Sequence, residues 1–127
     1  MQYMNSPIDP TPTIRGEAAA KMDAPAMVAV KFDSAGKFAL PAAGDFCIGI
    51  TLATADPVEA GDPLNVQIKD IGYWMASAAV VKGALLAADA TGKAVAATSG
   101  KAVLAVALEA GFAGKPVKVL ICRTVAA

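Results

Sequence analysis

The 127-residue sequence contains no histidine. That absence removes the side chain used most often as a general base and as the partner of a nucleophilic hydroxyl, and with it a common zinc ligand. Cysteine is almost as scarce. Cys47 and Cys122 form no Cys-x-x-Cys pair, so no metal ligand set is expected, and both read as buried free thiols of a protein made in a reducing cytosol. A disulfide between them stays open, because it depends on a Cα separation that sequence does not give. Aromatic residues make up only 6% of a chain that is 56% hydrophobic, so the core material is small-grained and rich in alanine. An alanine-rich core gains less from burial, since each methyl removes little area from water, and this hints that partners complete the burial. Excess charge is missing as well: 11 basic and 11 acidic residues cancel. With no basic run and no aromatics interleaved with Arg or Lys, the electrostatic footprint of a nucleic-acid binder is absent. No apolar run approaches the roughly 18 residues of a membrane span, and "MQYMNSPIDPTPTIR" has neither the basic nor the apolar region of a secretory signal. Near-zero net charge weakens repulsion between copies and suits a protein that assembles.

The remaining polar groups do not gather into a reactive set. Asp33, Asp56, Asp62 and Asp89 all lie in turn contexts near Gly or Pro, where the carboxylate usually bonds its own backbone. "ATGKAV" is too short for a phosphate loop and lacks the Ser or Thr that must follow its Lys. The expectation is a protein with no catalytic residue, no metal, no cofactor and no small-molecule substrate.

What the sequence does contain is a repeated phrase. "AGDPLNVQI" (60–68) returns as "AGKPVKVLI" (113–121). Each copy sets Ala-Gly at a turn, then a charged residue and Pro, then apolar residues at every second position: Leu64, Val66 and Ile68, then Val117, Val119 and Ile121. That is a turn feeding a half-buried strand, with Pro at the first strand position, where a missing N–H is tolerated. Upstream, Asp33, Gly36, Lys37 and Gly44 match Asp89, Gly92, Lys93 and Gly100 at one separation of 56 residues (89 − 33). Ile48, Ile50 and Leu52 match Leu104, Val106 and Leu108 at the same separation. The pattern predicts an internal duplication, 28–68 and 84–121, folded into one domain with pseudo-symmetric halves. Two copies are too few for a solenoid.

Short apolar runs between turn signals predict strands over 27–32, 37–40, 46–52, 64–69, 84–88, 93–97, 102–108 and 117–123. The fold class is therefore all-β and mainly antiparallel, a small barrel or sandwich. Alanine propensity would favour a helix over 75–90, but Gly83, the paired valines and the duplication favour a strand at 84–88. Residues 1–26 are read apart from the β-domain at 27–127. Pro7, Pro10, Pro12 and Pro25 interrupt regular structure there, so the segment reads either as a loose tail or as an extended docking arm anchored by Tyr3, Ile8 and Ile14. An arm of this kind should be removable, over residues 2–20, without unfolding the domain. "GYWMAS" (72–77) holds the only Trp and one of the two Tyr residues. Tyr73, Trp74 and Met75 are either a subunit interface or a core plug. "PVEAGDPL" and "AAAKMDAP" weakly echo biotin- and lipoyl-carrier modules, an alternative that would make Lys21 a modified lysine, although Lys21 lies in the proline-bounded leader.

The phrases "AGDPLNV", "VVKGALLAADATGKAV" and "LAVALEAGFAGKPVKVLI" resemble the capsid cement, or head-decoration, proteins of tailed bacteriophages, including the lambda-type ones. The resemblance spans about residues 27–123. Gly49 keeps the family pattern, Ala105 stands where a Gly is usual, and "KGALL" lacks the Asp that commonly follows that Gly. What the resemblance implies is a non-enzymatic β-rich homotrimer. Such a protein is made in the host cytoplasm and sits in the virion, on the outer surface of the expanded capsid, where it clamps neighbouring major capsid protein subunits. It also implies that the N-terminal arm, with Tyr3, Ile8, Ile14 and Arg15, adds to a capsid strand by β-augmentation.

Overall fold

Every regular element among the described residues, 9–52 and 57–127 of a computed structural model, is a β-strand. The first five are β1 (Thr13–Glu17), β2 (Ala29–Phe32), β3 (Phe38–Ala39), β4 (Gly49–Thr51) and β5 (Pro63–Gln67). The next five are β6 (Ile71–Met75), β7 (Leu85–Ala88), β8 (Ala94–Ala96), β9 (Ala102–Ala107) and β10 (Pro116–Val125). They form two antiparallel five-stranded sheets, ordered β1-β5-β4-β2-β3 and β6-β10-β9-β7-β8. The second order is the first with every strand advanced by five, so the predicted duplication is a duplication of whole sheets. The isolated bridges repeat too: Ala18 with Phe38 and Met22 with Val58 in the first half, Ala76 with Ala94 and Val80 with Gly111 in the second. No helix forms over 75–90, where β7 occupies the place the duplication assigned.

The turns explain why so few identities suffice. Asp33 Oδ1 accepts from the N–H groups of Ala35 and Lys37, and Asp89 Oδ1 from those of Thr91 and Lys93, all at 2.9 Å. Each loop then needs a left-handed residue, and Gly36 and Gly92 supply it with φ of 79° and 81°. Asp62 likewise accepts from Glu59 N–H. These carboxylates do the turn work expected of them; Asp56 lies outside the described residues. Pro63 and Pro116 open β5 and β10 as expected, and Leu64, Val66, Val117, Val119 and Ile121 all point into the core.

Two strands depart from the expectation. β6 runs through "GYWMAS", and β1 lies inside the segment read as an arm. β1 pairs with β5 from Thr13–Gln67 to Glu17–Pro63. Ile14 packs against the core of its own sheet, and Ala18, Met22 and Pro25 are buried. The β-fold thus begins near residue 12, where Ile68 N–H donates to the Pro12 carbonyl, and not at 27. The prolines did not prevent it, because β1 falls between Pro12 and Pro25. Tyr3 and Ile8 lie outside the described residues.

The halves share one interior. The second core cluster, around Trp74, Leu86, Leu104 and Val117, takes in Ala29, Cys47 and Ile50 from the first half. The Gly92 carbonyl accepts from Ala29 N–H at 2.7 Å and from the Trp74 indole N–H at 2.8 Å. Met75 N–H donates to the Met27 carbonyl, and the Arg123 guanidinium donates to the carbonyls of Ile48 and Ile68. Large and small side chains trade places between the copies. Gly16 lies under the buried Phe38 ring, where a Cβ would come within 2.8 Å. The matching pair in the second half is Trp74 and Ala94, both fully buried.

Candidate functional site

The described residues hold two shallow clefts, each of about 270 Å³. One runs along Met22, Phe38 and Leu40, and the other is shared by Met22, Leu40, Thr91 and Lys93. Their walls are mainly apolar. Asp23 is the only carboxylate lining either, so no acid–acid pair of the kind used in general acid–base chemistry is assembled there. Among the described residues no group of three His, Cys, Asp or Glu side chains converges on a metal-sized site. Lys21 is exposed beside Asp23 at 3.8 Å, on the stretch between the Ala18 and Met22 bridges. That is a strand-to-strand connection and not the hairpin tip of a carrier lysine.

The titrating groups serve the fold. Asp45 lies 2.7 Å from Lys31; the hydrogen bond from that ammonium and the Ala42 N–H hold its carboxyl below the usual range. Burial pushes the Asp89 carboxyl up, but hydrogen bonds from Thr91, Ser77 and Lys93 outweigh it and leave the group low. The Cys47 thiol is pushed up to about 12, first by burial and then by Asp45. Cys122 departs from expectation: it is exposed, because it follows the inward-facing Ile121 and neighbouring residues of a strand face opposite ways. Both thiols are free.

Among the expected interface residues, Trp74 is fully buried in its own chain and Tyr73 is half exposed. Met75 lies between these extremes. Alternation along β6 decides this, turning Gly72 and Trp74 inward and Ile71 and Tyr73 outward. Trp74 is thus a core plug, whereas Tyr73 belongs to a surface. Ile14 and Arg15 both sit on β1, with Ile14 against the chain's own core and Arg15 exposed.

That surface is the outer face of the second sheet, which the sequence did not single out. Strand register lines up Ile71 with Leu120, Leu120 with Val106, and Val106 with Leu85. The result is one apolar row across β6, β10, β9 and β7. Ile71 is 58% exposed, Leu85 42% and Leu120 39%, and Tyr73 extends the row on β6. Single exposed apolar residues are ordinary; Ile71, Leu120, Val106 and Leu85 adjoin one another across four strands.

The fold is similar to that of a solved phage protein. The crystal structure of the head fiber gp8.5 N base of bacteriophage phi29 matches 91% of this chain and 97% of its own length, with a TM-score of 0.66 at 18% identity. The two share an architecture across nearly all of both chains. No family model and no curated protein matches the sequence.

Proposed function

We propose that this chain is a structural protein of a tailed-phage head, a non-enzymatic decoration or cement protein. In this reading it binds the outer surface of the expanded capsid as a homotrimer and stabilises contacts between major capsid protein subunits. The observation that carries the reading is the fold shared with the phi29 head-fibre base over 91% of the chain. The resemblance of its turn-and-strand phrases to capsid cement proteins points the same way. So do the exposed apolar row on the second sheet and the zero net charge. The arm that reaches the capsid lattice is, in this reading, the part of the leader before β1, carrying Tyr3 and Ile8. Ile14 and Arg15 position the base of that arm on the edge of the first sheet.

The test is density-gradient purification of the heads made by the genome that encodes the chain, followed by mass spectrometry of the particle fraction. The chain is expected to travel with expanded heads in fixed proportion to the major capsid protein. Its recovery only among soluble proteins, with fully expanded heads in the particle fraction, would sink the proposal. Intact mass of the purified chain tests the carrier alternative, which requires a covalent addition at Lys21.

A further inference from the structure

The two halves meet through unlike surfaces, and that leaves each of those surfaces with one unused counterpart. Within the chain, the face of the first sheet at Ala29 and Ile50 is covered by the hairpin of the second half that turns at Gly92. Ala29 and Ile50 are 0% and 1% exposed. A Cβ on Gly92 would stand 2.7 Å from the Ala29 carbonyl oxygen and 3.1 Å from Val28 Cβ, and the Gly92 carbonyl accepts from Ala29 N–H. Nearby, Met75 on the edge of β6 donates to the Met27 carbonyl.

The duplication names the counterparts. Ala29 and Ile50 correspond to Leu85 and Val106, which lie in the open apolar row. Gly92 corresponds to Gly36, around which a Cβ would meet nothing within 4 Å. Met27 corresponds to Gly83, equally open, and both hold the left-handed conformation, with φ of 55° and 88°. Met75 corresponds to Glu17 at the edge of β1. The second half therefore carries an unfilled receiving face, and the first carries an unused hairpin beside the exposed Phe32.

We propose that the chain assembles head-to-tail with copies of itself, the Gly36 hairpin and β1 edge of one copy covering the Leu85–Val106 face of the next. The occupant is a second copy because the structure already contains this contact once, between its own halves. The same correspondence sets Glu17 of one copy against Gly83 of the next, which Lys82 precedes, so opposite charges meet at the rim. The contact between chains is narrower than the one within. Gly44 also bonds Ala88 and Ala102 across the halves, whereas Gly100, its counterpart, is occupied by the chain's own Ala126. A contact between unlike surfaces closes into a ring when its rotation permits and otherwise extends as a filament. The inference rests on the self-association part of the function proposed above and does not require capsid binding.

Two proteins with one engineered cysteine each test it, Gly36→Cys and Ala84→Cys, both also carrying Cys122→Ser and keeping only the buried Cys47 besides. Ala84 is the counterpart of Val28, whose Cβ is the side-chain atom nearest to a Cβ built at Gly92, at 3.1 Å. After mild oxidation, the mixture should give a covalent dimer on a non-reducing gel while neither protein alone does. Leu85→Glu, at an exposed position, should shift the sedimenting species to monomer and leave the circular dichroism spectrum intact. Self-linking of either variant alone would point to a two-fold contact and overturn the inference. So would a wild-type chain that stays monomeric at high concentration together with a cysteine mixture that gives no cross-link. Heads decorated by a chain that fails this test would refute the interface alone. A cross-linked oligomer that never joins heads would refute only the capsid reading.

Discussion

At the scale of single residues, Gly49 shows how a small difference between the halves is enforced. A methyl group there would stand 2.2 Å from the Gln67 carbonyl oxygen and 2.7 Å from a Val66 methyl. A strand carbonyl cannot swing aside as a long side chain can, so Gly49→Ala should cost about 1–3 kcal/mol, read as a lower urea midpoint with an unchanged slope. The matching Ala105 is fully buried and tolerated; it pairs with Ile121, after which β10 bulges before its pairing with β9 resumes at Thr124. The buried thiol makes a different prediction. Cys47 binds its proton up to about pH 12 in the folded state, whereas an unfolded thiol releases it near 8.5. The folded state thus holds more protons between these values, and stability should fall as pH rises from about 9 toward 12. Cys47→Ala should flatten that fall in denaturation curves measured between pH 8 and 11. At pH 8 a thiol reagent should titrate one group quickly, Cys122, and the second only after unfolding.

At the scale of elements, β1 changes what truncation can mean. Removing residues 2–11 leaves every β1–β5 pair in place and should leave the melting temperature within a degree or two. Removing 2–20 deletes β1 together with the buried Ala18 and strips the edge of β5. It should lower the melting temperature by more than about 10 °C, given that each kcal/mol is worth roughly 3–5 °C at this size. Equal melting of the two truncations would show that β1 contributes little. Strands whose apolar alternation is framed by turn glycines, such as β5, β7, β9 and β10, were legible in the sequence. β1 was not, because "TIRGE" offers one apolar side chain and uses Gly16 as a space for Phe38, information that resides in another strand. β6 is harder to see because its Trp and Tyr stand out as one patch, when alternation alone divides them between core and surface. The open row on the second sheet was beyond reach for a related reason. Alternation says which side chains face outward, but only the packing of one half on the other covers Ala29 and leaves Leu85 exposed.

At the scale of the whole molecule, the shared interior should make the halves melt together. Trp74, on the first strand of the second half, is held by a carbonyl that also bonds β2 of the first, and its cluster includes Cys47 and Ile50. Tryptophan fluorescence reports the second half, whereas far-ultraviolet dichroism reports both sheets. Coincident transitions of these two signals in urea are the expected outcome. Separated midpoints would mean that the first sheet unfolds on its own.

The exchange of Gly16 and Phe38 for Trp74 and Ala94 bears on how the chain avoids misfolding. Two sheets with one strand order, tethered by three residues between β5 and β6, invite each edge strand to dock in the other's place while the chain is still forming. Tandem copies of one unit are prone to such misassembly. Here the wrong partners fail on volume. β6 in the place of β1 would drive an indole into the Phe38 ring, and β1 in the place of β6 would leave a void beside Ala94. A chain carrying Gly16→Trp with Phe38→Ala would present two near-identical docking sites. Its refolding from urea at micromolar concentration should lose yield to aggregates even if the protein that does fold is stable. Refolding as complete as that of the unaltered chain would show that the difference in bulk between the copies is not what keeps the strands in order.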